Sequence, residues 1–218
     1  VLESGGINNL VKHGYVVIIA DVRGSGASFG TRSGWTREQG LDARALLEWT
    51  ASQPWCDGKI GMIGGSQMGQ TQLVFARTRE PHLLSIMPAA APIDVYDHHY
   101  VGGVWEDTTA FSNRLKTLDI ITLAQPVDED PPPDYPLLTQ ALEQHKTNVY
   151  GEASPDAFRD DWSDVARCRP NIEASPLYYA EDIKASGISI YVMGGWYDIF
   201  LKDSLGGYKL FGQKLIVG

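Results

Sequence analysis

The sequence predicts an α/β domain with a mostly parallel sheet flanked by helices. Two observations carry the prediction. Short apolar runs at residues 15–21, 59–63, 83–87, 188–193 and 214–217 alternate with amphipathic or turn-rich stretches. Most of these runs are bounded by glycine, proline or aspartate. Strands that alternate with helices need crossover connections, and crossovers make neighbouring strands parallel.

The elements follow in order. YVVIIAD at 15–21 is a continuous β-branched run and reads as a strand buried on both faces. Thr36-Arg37-Glu38-Gln39 has the spacing of a capping box. Leu41, Ala45, Glu48, Trp49 and Ser52 then recur at helical spacing, with the apolar members predicted to form the buried face. Pro54 stops this helix, the turn Trp55-Cys56-Asp57-Gly58 follows, and Lys59–Ile63 is the next strand. Gln70–Arg79 reads as helix up to Pro81, and Leu83–Met87 as strand. Ile188–Met193 and Lys214–Val217 complete the sheet, with a helix near Asp203–Phe211 between them.

Residues 93–186 break the rhythm with helix-like pieces and the acidic loop PVDEDPPPDYP, and Ser154-Pro155 marks another helix start. Because strands resume afterwards, this segment is expected to be a helical cap inserted into a core of residues 1–92 and 187–218. A linker between two domains is the alternative. The chain opens at Val1 without Met and closes on the strand-like KLIVG, so the fold is expected to be truncated at both ends.

Composition narrows the function classes. The 218 residues carry a net charge of −9 and no cluster of Lys or Arg, which argues against nucleic-acid and anionic-membrane partners. No apolar stretch is long enough to span a bilayer, and no signal peptide opens the chain. The two cysteines, Cys56 and Cys168, match no metal-ligand spacing and are read as free thiols. Compartment and oligomeric state are not fixed by the sequence, and a homo-oligomer is left open.

The stretch that points to chemistry is IGMIGGSQMGQTQLVF at 60–75. A strand, a tight glycine-flanked serine and a helix form the layout of a nucleophile elbow. Ser66 would be held at the sharp turn. Gly64 would let strand and helix backbones approach, and the Gln67 N–H would point at a reacting carbonyl from the positive end of the helix. The second small residue is displaced from Met68 to Gly69. A second candidate is Gly194-Gly195-Trp196-Tyr197-Asp198, just past a strand, where functional groups of open parallel sheets collect. Asp198 would be the acid in the order Ser…Asp…His, or would only cap the helix that follows.

HGYVVIIADVRGSGASFG, QPWCDGKIGMIGGSQMGQTQ, MGGWYDIF and KLIVG stand in order over nearly the whole chain. Together they resemble the α/β-hydrolase family of cocaine esterase, α-amino acid ester hydrolases and Xaa-Pro dipeptidyl-peptidases, many of whose members are described only as acyl esterases. The resemblance implies an α/β-hydrolase fold with a helical cap. It implies Ser66 as nucleophile, Asp198 as the acid that orients histidine, and Gln67 N–H as an oxyanion donor in place of a common tyrosine. It also implies that Phe200 shapes the acyl or leaving-group pocket, and that Tyr100 and Trp105, in VYDHHYVGGVW, face substrate. The substrate is expected to be a small ester or acyl-amino compound, with no cofactor and no metal.

The same resemblance places the histidine shortly after the last core strand and a second oxyanion donor, a tyrosine hydroxyl, before Val1. His13, His82, His98, His99 and His145 all precede Asp198. Only His98 and His99, in the cap, are expected near the end of the sheet. A metal site from Asp94, Asp97 and these two histidines is set aside, because adjacent histidines do not easily turn both rings to one ion. Gly24-Ser25-Gly26 suggests a dinucleotide fingerprint, but Phe29 replaces the third glycine and no helix is predicted there. The glycines are read as turns tied down by Asp21 and Arg23. Two other functions stand beside the hydrolase: a non-catalytic binding module of the same fold, and an Xaa-Pro dipeptidyl-peptidase with an amine site formed by Glu106, Asp107 or Asp128–Asp130.

Overall fold

A computed structural model of the chain describes residues 7–32, 37–106, 124–148, 156–164, 167–211 and 214–217. Its centre is a parallel sheet of β1 (Ile60–Gly65), β2 (Leu83–Ala89), β3 (Ser189–Gly194) and β4 (Lys214–Val217), in that spatial order. Around it lie α1 (Ile7–Lys12), α2 (Arg37–Ser52), α3 (Gln67–Ala76), α4 (Val95–His99), α5 (Pro136–His145), α6 (Pro170–Glu173), α7 (Ala180–Ala185) and α8 (Leu201–Phe211). The expected strands at 59–63, 83–87, 188–193 and 214–217 are all present within a residue or two.

Strands in sequential order with right-handed crossovers place their connecting helices on one face. Accordingly α3 touches α7 and α7 touches α8. Met62, Ile86 and Ile190 stand level across β1, β2 and β3 on that face. They join a core with Leu73 and Ala76 of α3, Ile183 of α7 and Phe211 of α8. Ile86 and Ile183 are each only 1% exposed, so each contributes about 1.5–3 kcal/mol through burial. Gly61, Ser85 and Ser189 stand level on the opposite face and are exposed.

Two sequence expectations are corrected. The run 15–21 is not a strand; it is extended chain with Tyr15, Val16 and Ile19 exposed. β-branched propensity makes a strand only where a neighbour accepts its backbone groups. Among the described residues the sheet ends at β1, whose partner is β2. In α2 the apolar stripe Leu41, Ala45 and Trp49 faces outward, and Ala43, Leu47 and Thr50 are buried instead. The choice is made by α3, against which α2 packs. Trp49 finds an edge contact with Trp55, ring centroids 6.2 Å apart. The proposed caps at Thr36 and at Ser154-Pro155 lie outside the described residues.

The glycine-rich loop after residue 21 opens no helix, and it is anchored from two sides. Arg23 donates from Nε and Nη2 to both oxygens of Asp42 on α2, at 2.7 and 2.5 Å. From the segment around α5, His145 Nε2 lies 2.8 Å from the Ser28 carbonyl, and Asn148 Nδ2 donates to the Gly24 carbonyl at 2.7 Å. The start of α5 is held by Asp130 of the acidic loop, whose two oxygens accept from Leu137 N and Leu138 N, both at 2.9 Å. Cys56 and Cys168 form no disulfide. Among the described residues no helix is long and apolar enough to cross a membrane.

Gln72 is a fully buried polar residue on α3. Its Nε2 donates to the Gly64 carbonyl at 3.0 Å and its Oε1 accepts from Met87 N at 2.8 Å, tying the ends of β1 and β2 to one helix. Replacement Gln72→Leu orphans both backbone groups. A loss of about 2–4 kcal/mol is expected in urea unfolding.

Candidate active site

The backbone is strained at the turn from β1 into α3. Ser66 has φ 56° and ψ −126°, a left-handed conformation that costs a non-glycine residue about 1–3 kcal/mol. The turn is pinned on both sides. Ser66 N donates to the Ala89 carbonyl at 2.9 Å, and the Ser66 carbonyl accepts from Gln70 N at 3.0 Å. Strand and helix nearly touch there. A Cβ on Gly64 would lie 2.8 Å from Met68 Cβ, and one on Gly69 would lie 2.8 Å from Ala91 Cβ and 2.9 Å from the Ala89 carbonyl oxygen. Gly69 therefore supplies the small residue that the sequence displaces from position 68. Ser66 is half-buried. Gln67 opens α3, so its N–H has no acceptor within the helix and lies at the helix's positive end.

Asp198 arises at the same end of the sheet. Gly65, Ala89 and Met193 stand level across β1, β2 and β3, so Ser66 and the loop after Gly194 leave the sheet on one side, with β2 between them. The end of β4 lies there too, since Val217 is level with Gly194. Gly194 is another close approach: a Cβ would meet Ser204 Oγ of α8 at 2.5 Å. Asp198 Oδ1 accepts from Phe200 N at 2.7 Å, which shapes the turn into α8. The carboxylate thus has the capping role the sequence allowed, and its second oxygen carries no hydrogen bond among the described residues. Trp196 and Tyr197 beside it are exposed.

The histidines sort by position. His82 sits at the opposite end of the sheet, with Nδ1 3.0 Å from the Gly58 carbonyl. His145 is buried under the glycine-rich loop, and His13 lies against Asn9 after α1. His98 alone stacks on Phe200, ring centroids 4.5 Å apart, two residues past Asp198. Among the described residues no histidine is hydrogen-bonded to Ser66 or Asp198.

Tyr100 is buried and stacks on Tyr96 at 4.3 Å. The pair lines a recess of about 440 Å³ with Gly103, Asp156, Ala157 and Phe158. Trp105 is half-buried, and its Nε1 is buried without a hydrogen-bond partner. A second cavity between α8 and the sheet is about 10 Å³, room for a water at most. Neither space is lined by Ser66 or Asp198.

The acids the sequence grouped around His98 and His99 are engaged elsewhere. Asp94 caps α4 through Asp97 N and pairs with Arg159, and Asp97 pairs with Lys202. Glu106 is the acid that reaches both histidines, with one ligand atom of each residue within 4.8 Å of the others. Burial, then the neighbouring charge of His98, pushes the His99 pKa down. Asp203 on α8 was not singled out by the sequence. Its Oδ1 accepts from Ile93 N at 2.8 Å and Asp94 N at 3.4 Å, fastening the segment after β2 to the helix after the acid loop. Burial raises its pKa against the lowering by those two N–H groups. Gln72 was also missed. A glutamine just before Leu73, Val74 and Phe75 is the one available signal.

The sequence pattern of the X-Pro dipeptidyl-peptidase (S15) family matches residues 3–214. The chain belongs to this family. As an S15-family chain it is 31% identical, over 86% of its length, to a Mycobacterium bovis protein named provisionally as a serine esterase, and covers 36% of that protein. It is 38% identical over 42% of its length to cocaine esterase of a Rhodococcus species, covering 16% of it. The chain thus spans about a third of the length of the first of these relatives. Among solved structures it is similar to a CocE/NonD family hydrolase of Staphylococcus aureus, with a TM-score of 0.59, 22% identity, and coverage of 90% of this chain and 31% of that one. It is also similar to a bromoperoxidase of Bacillus anthracis, with a TM-score of 0.52, 17% identity, and coverage of 97% and 76%. The fold is that of the α/β hydrolases, and the family is one of hydrolases and esterases.

Two outcomes are expected from this geometry. Gly69→Ala drives a methyl into Ala89 and Ala91 and lowers stability by about 1–3 kcal/mol in denaturant unfolding. Asp203 holds its proton more tightly folded than unfolded. Its contribution to stability is therefore greatest below the unfolded value and falls as pH rises through the raised folded value. The charges facing it include those of His98, Asp97 and Lys202. Asp203→Asn keeps an acceptor for Ile93 N and flattens this slope in pH-dependent melting, whereas Asp203→Ala also orphans Ile93 N and costs about 1–3 kcal/mol at the low-pH side where the contribution is largest.

Proposed function

We propose that the protein is a serine acyl hydrolase that cleaves small carboxylic esters or acyl-amino compounds. Ser66 Oγ attacks the carbonyl carbon and the carbonyl oxygen becomes an oxyanion, which the Gln67 N–H binds. A histidine carried after β4 takes the serine proton and returns it to the leaving group, and Asp198 orients that imidazole. Water then hydrolyses the acyl-enzyme by the same route. The observation that carries the reading is the left-handed Ser66 on a strand-to-helix turn, at the sheet end where the Asp198 loop also emerges. Strained non-glycine residues of this kind cluster at functional sites, which favours a chemical role for Ser66 over packing alone.

Phe200, Tyr100 and Trp105 are the side chains proposed to shape the substrate space beneath the cap. In this reading residues 93–186 form the cap and 1–92 with 187–218 the hydrolase core. The ester reading is preferred to an Xaa-Pro peptidase because Asp130, one of the acids named for a free amine, is already engaged. Asp130 gives both oxygens to the start of α5, and Glu106 lies beside His99. Asp107 lies outside the described residues. A non-catalytic binding module of the same fold is the outcome if Ser66 proves inert.

A fluorophosphonate probe tests the assignment. A chain extended past Gly218 into the sequence of its parent is expected to label strongly and to lose labelling in Ser66→Ala. The 218-residue chain is expected to label weakly or not at all. Strong labelling of the short chain places the base within it, with His98 the residue to test next. No labelling of the extended chain returns the reading to a binding module.

A further inference from the structure

We propose that His98, His99 and Glu106 form a site for a divalent transition metal, with zinc the ion their chemistry fits. The site is separate from the hydrolytic reading and does not depend on it.

The geometry begins with how the chain leaves α4. The helix ends at His99, and Tyr100 departs from helical backbone at φ −127° and ψ 55°. Gly102 and Gly103 then turn the chain through φ 62° and 82°. Gly103 N donates to the Tyr100 carbonyl at 2.8 Å and Val104 N to the Val101 carbonyl at 3.1 Å. Glu106 N closes the loop on the His99 carbonyl at 2.8 Å. That last bond delivers the Glu106 carboxylate back to the two rings. The rings themselves converge, with centroids 5.0 Å apart and planes tilted by 55°. The objection that adjacent histidines diverge is met by the positions themselves, since one ligand atom from each ring and one from Glu106 lie within 4.8 Å of one another.

A second observation concerns the same ring. His99 Nδ1 is buried and has no hydrogen-bond partner among the described residues. A buried imidazole nitrogen is ordinarily satisfied, and a metal ion on the ring is one way to change which nitrogen needs a partner. The other nearby acids are committed to Arg159 and Lys202, whereas Glu106 forms no ion pair among the described residues. Two imidazoles and one carboxylate are a borderline donor set that suits zinc and its neighbours in the first row. Calcium and magnesium prefer oxygen alone. A tetrahedral ion at bonds near 2.1 Å sets its ligands about 3.4 Å apart, so the three side chains close on the ion from their present spread of up to 4.8 Å. Water would complete the shell. Because His98 stacks on Phe200, an ion here fixes the ring that covers the acid loop.

Titration of the metal-stripped 218-residue chain with zinc chloride by calorimetry tests the site, with the visible absorption of bound cobalt(II) as a second readout. One equivalent is expected to bind. Glu106→Gln and His98→Ala should each weaken binding by about tenfold or more, since loss of a ligand costs at least what loss of a ligand's support does. His13→Ala should leave it unchanged. Glu106 is exposed, so Glu106→Gln tests the site without threatening the fold, and circular dichroism verifies each variant. Absence of zinc uptake at about 1 mM overturns the proposal. So does uptake of equal affinity in Glu106→Gln. Uptake that persists in the His98→Ala/His99→Ala double variant does the same, because it belongs to other groups such as the two thiols.

Discussion

The structure depends on how closely β1 and α3 approach at Ser66. The chain reverses from strand to helix within one residue, and that residue carries a side chain in a conformation suited to glycine. Such a turn survives only where the surroundings over-determine it. Here they do so in three ways. Gly64 and Gly69 remove the methyls that would collide with Met68 and with the end of β2. Ser66 N–H is taken by Ala89 in the neighbouring strand. Gln72, one turn into the helix, reaches back to Gly64 and across to Met87. The apolar core beneath supplies the bulk of the free energy. These few polar bonds decide where that free energy is directed, because buried groups left unpaired would reverse their contribution.

The neighbouring strand ends are held by the same logic. Gly194 lets β3 meet α8 at Ser204, and Asp198 shapes the turn between them through Phe200 N. Asp203, one turn further, binds the chain as it leaves β2. From there Asp94 and Asp97 bind outward to Arg159 and Lys202. A continuous set of short contacts thus runs from the acid loop to the start of the inserted segment. His98 on Phe200 closes it with a ring contact. The serine and the acid are not bonded to one another. They are placed separately, by parallel strands whose ends are level. That is why a sheet of this type collects chemistry at one end.

The polar residues between β2 and β3 take up contacts in a way that residue type does not reveal. Asp130 is an acid in an acidic, proline-rich loop, yet both oxygens serve a helix start. His145 is a histidine, yet it is buried against a backbone carbonyl. Glu106 looks like an ordinary surface acid, yet a loop closed on His99 brings it to two imidazoles.

What the sequence determined by itself was local. The strands at Ile60, Leu83, Ser189 and Lys214, the helix after Ser66 and the tight turn before it were legible. Period, glycine placement and proline stops act within a few residues and are written in order along the chain. The turns at Ser66 and at Asp198 were legible as turns for the same reason, since each follows one strand. Tertiary structure alone decided which apolar stripe of α2 is buried, because both stripes satisfy the helical period and only α3 distinguishes them. It alone decided that 15–21 is not a strand, because pairing requires a neighbour and propensity supplies none. It alone joined Gln72 to two strands, Asp203 to Ile93 and Glu106 to His99. Those contacts are made between segments whose separation is set by packing, and a hydrogen bond or a ligand distance is decided by tenths of an ångström that no sequence spacing specifies.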